Sequence, residues 1–126
     1  MTFTGVTPYL YYEDAAAALD WLTEKLGFGP DTRYEGLDGR VEEAEIRVGP
    51  SARVMLTGRA PGADEGGGAL LIVHVDDIEA QFERITGAGV DLEPPKDEPY
   101  GPRTIHVTDP WGYRWYFWEG DAMPPS

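Results

Sequence analysis

The sequence predicts an α+β fold made of two tandem βαβββ modules. Three observations carry this reading. The chain has 126 residues, the length of one ordinary domain. Its periodicities run strand, helix, strand, strand, strand, and then start again in the same order. Offset by half the chain length, the two helical segments align: Asp14 falls on Asp77, Ala17 on Ala80, Leu19 on Phe82, Asp20 on Glu83, Leu22 on Ile85 and Thr23 on Thr86. A one-residue slip then puts Gly27 on Gly89. The identities are few, and it is the matched order of elements that favours a duplication. The first module spans 1–58 and the second 69–120, joined by a Gly-rich linker at 59–68 and followed by a disordered tail at 121–126.

Each element has a local cause. Val6 to Tyr12 is apolar and aromatic, bounded by Gly5 and an acidic pair, and reads as a strand. Asp14 is a good N-cap for the run that follows, in which Ala18, Leu19, Leu22 and Leu26 recur at helical spacing before Gly27 stops it. Alternating stretches at about 31–37 and 41–48 flank Asp38-Gly39, a strong hairpin signal. A turn at Gly49-Pro50-Ser51 leads into a third strand, 52–57. The second half opens on Ala69 to Val75, a buried type of strand, and Asp77 caps a helix with Ile78, Phe82 and Ile85 on one face. A short strand at 90–93, strands at 103–108 and 113–119, and a turn at Asp109-Pro110-Trp111-Gly112 complete the module.

Composition narrows the functional classes. With Lys+Arg 10 against Asp+Glu 23, the formal charge is −13, a field that repels nucleic-acid phosphate and anionic lipid and attracts basic small molecules. Solubility is the plainer meaning of that charge. The chain has no cysteine, which excludes disulfides and thiolate metal sites. No signal-like N-terminal run or long apolar stretch is present, so the expectation is a soluble, cytoplasmic protein with no membrane or nucleic-acid partner. No phosphate loop, nucleophile elbow or zinc motif occurs. The last strand raises a question of its own. Trp115, Tyr116, Phe117 and Trp118 put rings on both faces, where a half-buried strand should alternate.

The stretches YLYYEDAAAALDWLTEKLGF, AEIRVG, ARVML and DPWGYRWYFWE resemble the vicinal oxygen chelate superfamily: glyoxalase I, extradiol dioxygenases, fosfomycin resistance enzymes and bleomycin resistance proteins. The Asp-capped helix ending in Leu-Gly-Phe and the terminal Asp-Pro-x-Gly turn are its most specific parts, and it covers nearly the whole chain. The resemblance implies curved mixed sheets with helices on the convex side, ligands on the concave side, and pairing as a homodimer. It also implies positions for a divalent metal. Counted from the motifs, those positions hold Thr7, Met55, Leu70 and Tyr116, which are not a divalent-metal set. No metal and no cofactor are therefore expected.

Phasing the strands on that fold puts Leu10 and Tyr12 toward the first helix and Leu71, Val73 and Val75 toward the second. The concave side then receives Tyr9, Tyr11, Glu43, Glu45, Met55, Leu70, Ile72, His74, Tyr116 and Trp118, while Trp115 and Phe117 enter the core. Stacking rings and cation–π faces suit planar ligands, and the two glutamates add a preference for basic ones. Pure packing, in the half-barrel or at a dimer interface, is the competing use of the same rings. His74 and His106 read as polar groups lining a cavity ahead of metal ligands. Arg103 either pins the loop before it or contacts ligand oxygens; Trp111 gates a cleft or is an ordinary exposed ring. Glu119 reads as a solvated strand end.

The favoured function is a small-molecule binding protein of the bleomycin-resistance type, sequestering a planar aromatic natural product or antibiotic, with a cationic one suited to the charge. Sequestration needs affinity only, and no catalytic residue is assigned. The alternatives are a metal-dependent lyase, isomerase or dioxygenase rebuilt on His74, His106 and a glutamate, and a metal-free biosynthetic enzyme using Tyr116 or His74 as acid or base.

Overall fold

A computed structural model describes residues 1–2, 5–61 and 69–122. The chain divides into two compact units, Met1–Asp64 and Glu65–Ser126. Most of the Gly-rich linker expected at 59–68, and residues 123–126 of the expected tail, lie outside the described residues.

The first unit runs β1 (Tyr9–Tyr11), α1 (Ala15–Trp21, continued by a π-helical turn Leu22–Leu26), β2 (Asp31–Glu35), β3 (Val41–Val48) and β4 (Ala52–Thr57). Asp14 caps α1 by accepting from the Ala17 amide at 3.0 Å, and Gly27 ends the turn in the left-handed region at φ +80°. The strands order β1-β4-β3-β2, with β1 parallel to β4 and the other pairs antiparallel. Helix α1 packs over β3. Leu10, Tyr12, Ala44, Ile46, Val54 and Leu56 bury on the helix side together with Leu19, Leu22 and Leu26. That burial is the main stabilising term of the unit, since each aliphatic side chain removed from water contributes about 1.5–3 kcal/mol. Gly58 has a steric reason to be glycine: a Cβ there would collide with the Val41 carbonyl.

The second unit repeats the order: β5 (Leu70–Val75), α2 (Ile78–Gly87), β6 (Lys96–Asp97), β7 (Arg103–Thr108) and β8 (Arg114–Glu119). Its sheet orders β5-β8-β7-β6, and again the first and last strands of the module are parallel neighbours. The chain thus has the predicted α+β architecture, with one four-stranded mixed sheet in each module. Asp77 caps α2 as Asp14 caps α1, accepting from the Ala80 amide at 3.1 Å. Trp115 and Phe117 are fully buried on the face that α2 covers, with Ile78, Ile85, Ile105 and Val107.

Two strand boundaries and one side-chain role depart from the sequence reading. The first strand begins at Tyr9 rather than Val6, because Val6 and Thr7 lie exposed beyond the register with β4. The short strand is Lys96–Asp97, not 90–93: only there does the chain meet β7, through Thr104 and Arg103. Glu119 is not a solvated strand end. Its carboxylate accepts from the Ile78 amide at 3.0 Å, adding a second cap to α2 from a distant strand. Glu119→Ala is expected to cost about 1 kcal/mol, with Glu119→Gln losing less; urea unfolding of the two variants checks both, and equal losses would leave the cap without a charge component.

The Asp-Pro-Trp-Gly turn between β7 and β8 is organised by one carboxylate. Asp109 is 3% exposed, and its Oδ1 accepts from the amides of Trp111 and Tyr113 while Oδ2 accepts from Trp115 Nε1, all at 3.0 Å. The Asp thereby links the turn to the largest side chain of the core.

Candidate functional site

Each sheet has a face turned away from its helix, and strand pairing sorts the side chains on it. In the first unit Tyr9, Met55, Glu45 and Thr32 share one row and Tyr11, Thr57, Glu43 and Tyr34 the next. Tyr9 reaches across β4: its hydroxyl lies 2.7 Å from both carboxylate oxygens of Glu43 and donates to them. The Glu43 carboxylate that accepts this proton pushes the Tyr9 phenol above its ordinary range. Glu45 is held in an ion pair by Arg53. The Tyr9 and Tyr11 rings meet edge to face at 5.8 Å, and the Arg59 guanidinium sits 4.8 Å from the Tyr11 centroid. Both glutamates expected to favour basic ligands are therefore already engaged. Removing the carboxylate's charge in Glu43→Gln should bring the tyrosine's ionisation back down toward a normal phenol, since an amide oxygen is a weaker acceptor. A ring-resonance NMR pH titration that resolves Tyr9 from the other six tyrosines reads this, and an unchanged Tyr9 midpoint would contradict the geometry.

In the second unit Ile72, Tyr116 and His106 form one row, and His74, Trp118 and Thr104 the next. The His106 and Tyr116 rings stack at 4.8 Å with 15° between planes. His74 meets Trp118 edge-on at 6.1 Å. Tyr100, from the loop before β7, leans over the same indole at 5.8 Å. Trp118 Nε1 is buried with no hydrogen-bond partner among the described residues. Leu70 and Ile72 are each 43% exposed beside these rings. This is what the second aromatic face of the last strand touches: two histidines, a loop tyrosine and open surface.

The remaining sequence candidates separate. Arg103 falls on the opposite face, in the register of Glu119, and is held by Glu79 at 2.8 Å and Asp97 at 3.2 Å. It pins α2 and β6 to β7, and is not brought to the aromatic rows. Trp111 stands in the Asp109 turn, half-buried. Tyr100 was missed by sequence reasoning; a tyrosine before Gly-Pro signals a turn, but nothing in one dimension aims it at Trp118.

The positions that the fold would use for a divalent metal hold a hydroxyl (Thr7), a thioether (Met55), a hydrocarbon (Leu70) and a phenol (Tyr116). These do not fit a hard or borderline cation. His74 and His106 do not substitute, for β8 lies between their strands, a separation of roughly 10 Å. Among the described residues no group of three or more His, Asp or Glu side chains is gathered to hold a metal.

Together the repeated βαβββ order and the open sheet faces define a two-module protein of the glyoxalase type. The chain belongs to the Glyoxalase/Bleomycin resistance protein/Dioxygenase superfamily, whose sequence model matches residues 4–117. It is 31% identical to TioX from Micromonospora sp. ML1, covering 92% of this chain and 98% of that one with a TM-score of 0.75. TnmS3, an antibiotic binding protein from Streptomyces sp. CB03234, is 24% identical over 96% of this chain and 99% of its own, with a TM-score of 0.76. The uncharacterized Mycobacterium tuberculosis protein Rv0887c (strain H37Rv) is 30% identical over 122 residues, covering 88% of this chain and 71% of its own length. A lactoylglutathione lyase from Agrobacterium tumefaciens shares the fold at 17% identity, covering 91% of this chain and 92% of that one with a TM-score of 0.67. One scaffold thus carries a binder and an enzyme, and the side chains on the sheet faces have to decide between them.

Proposed function

We propose that this protein is a small-molecule binder that sequesters a planar aromatic natural product or antibiotic, acting in the cytoplasm as a homodimer. The observation that carries the reading is the pair of aromatic rows on β8, with Tyr116 stacked on His106 and Trp118 in contact with both His74 and Tyr100. Half-buried rings with polar tips offer flat contact area at little entropic cost. The buried, unpartnered indole N–H of Trp118 favours a ligand that brings a hydrogen-bond acceptor. Tyr9, Tyr11, Met55, Leu70 and Ile72 supply further apolar surface on the two faces. The net charge of −13 favours planar cations at long range, because Glu43 and Glu45 are engaged locally. TnmS3 shares the fold, and at 24% identity the likeness extends no further.

Among the described residues, no helix is long and apolar enough to cross a membrane. Exposed Leu70 and Ile72 suit burial against a second copy of the chain. Calorimetric titration with proflavine, a planar cation, and with 2-naphthamide, a planar neutral acceptor, tests the binding. Saturable binding of either at about one per chain supports the proposal, and no heat from both sinks it. A monomer in light scattering would overturn the dimer alone.

A further inference from the structure

The first unit holds a feature that the aromatic reading does not use. Arg47 on β3 and Arg53 on β4 are direct cross-strand partners on the face turned away from α1. Like charges in that position repel, and sheets ordinarily avoid them. The pairing is more unusual in a chain with 23 acidic residues and only 10 basic ones. Arg53 has a carboxylate partner, Glu45, one row along the sheet. Arg47 has none among the described residues; its guanidinium makes a single hydrogen bond, to the Pro50 carbonyl at 3.1 Å. Among the described residues, most of its five N–H donors thus find no acceptor.

Both arginines line one open cavity of about 350 Å³, with Gly5, Val6, Thr7, Ser51 and Ala52. Among the described residues no acidic side chain lines it. Thr7 and Ser51 are exposed residues of the same lining, so two arginines and two hydroxyl-bearing residues border a space large enough for a small group, with the Arg53 guanidinium shared with Glu45. The Tyr9–Met55 row lies next along the face, two residues from Thr7 and Arg53, or about 7 Å.

We propose that Arg47 and Arg53, with Thr7 and Ser51, form an oxyanion-binding pocket that takes a carboxylate or phosphate group of a small molecule. Guanidinium forks match both groups in geometry, and an anion placed between the two arginines removes the repulsion that their pairing creates. A carboxylate on an aromatic ring fits the surroundings best, since the ring then lies toward Tyr9 and Met55. The pocket is independent of Tyr116 and Trp118, and it extends the ligand range to anions that the overall charge would disfavour.

The test uses the full chain titrated calorimetrically with inorganic phosphate and with benzoate, at constant ionic strength set by chloride. Saturable binding of at least one of them, weakened tenfold or more in Arg47→Gln and unchanged in Arg84→Gln on α2, supports the proposal. Preference for benzoate identifies a carboxylate beside a ring, and preference for phosphate a phosphoryl group. Arg47→Gln without ligand should be at least as stable as wild type, because the like-charge contact is gone. No saturable binding of either anion, or equal affinity in Arg47→Gln, overturns the pocket; so does marked destabilisation by Arg47→Gln, which would make Arg47 a strut of the hairpin through Pro50. Failure of proflavine and 2-naphthamide to bind would count against the aromatic site and would not alter these readings.

Discussion

Asp109→Ala is expected to be among the most damaging single substitutions in the second unit. The carboxylate is 3% exposed and accepts three hydrogen bonds, two from the amides of Trp111 and Tyr113 and one from the indole of Trp115. Alanine leaves those donors without the acceptor that justified their burial. An orphaned buried donor costs about 1–3 kcal/mol, so a total loss of about 3–5 kcal/mol is expected after partial relaxation and entry of water. Asp109→Asn keeps its one amide oxygen for the two turn amides but sets an NH₂ group against Trp115 Nε1, and should cost roughly half as much. Chemical denaturation ranks the variants, and an Ala variant within about 0.5 kcal/mol of wild type would refute the account. The consequence reaches the aromatic rows of the candidate site. Trp115 and Tyr116 are consecutive residues of β8, one anchored in the core and the other on the open face, so loosening the anchor loosens the ring against His106.

The second large effect concerns Trp118. Its indole is the ring on which His74 and Tyr100 converge, and central rings of this kind dominate binding energy. Trp118→Ala should weaken the binding of proflavine or 2-naphthamide about 100-fold, equivalent to about 2.7 kcal/mol. Trp118→Phe separates the two contributions of the indole. It keeps a ring for stacking and removes the N–H, which is buried without a partner among the described residues. Affinity for an acceptor-bearing ligand should then fall about tenfold, while the stability of the free protein changes little, because an unsatisfied donor is removed along with some packing. Calorimetry is the suitable measurement, since tryptophan fluorescence loses one of its own reporters in both variants. Equal affinity of Trp118→Ala and wild type would move the binding surface off β8.

Capped helices and the duplicated order of elements are local properties, and they were legible residue by residue. Asp14 and Asp77 cap because a side-chain oxygen reaches an amide three residues on, a relation contained in the sequence itself. The phase of β8 was legible for the same reason: alternation alone sends Trp115 and Phe117 one way and Tyr116 and Trp118 the other. Strand pairing across the module was not legible. It decided that Glu43 is occupied by Tyr9 and Glu45 by Arg53, that Arg103 serves Glu79 and Asp97, and that Tyr100 covers Trp118.

The sequence by itself determined the two βαβββ modules and the faces of their strands. Periodicity, capping and residue chemistry are short-range, so one dimension suffices for them. Only the tertiary structure decided which side chains are free to act. Glu119 reaches the amide of Ile78 across 41 positions, and Arg47 faces Arg53 only because the hairpin closes in that register. Partnerships of this kind depend on sheet register and on the reach of long side chains, and both are set by packing of the whole module.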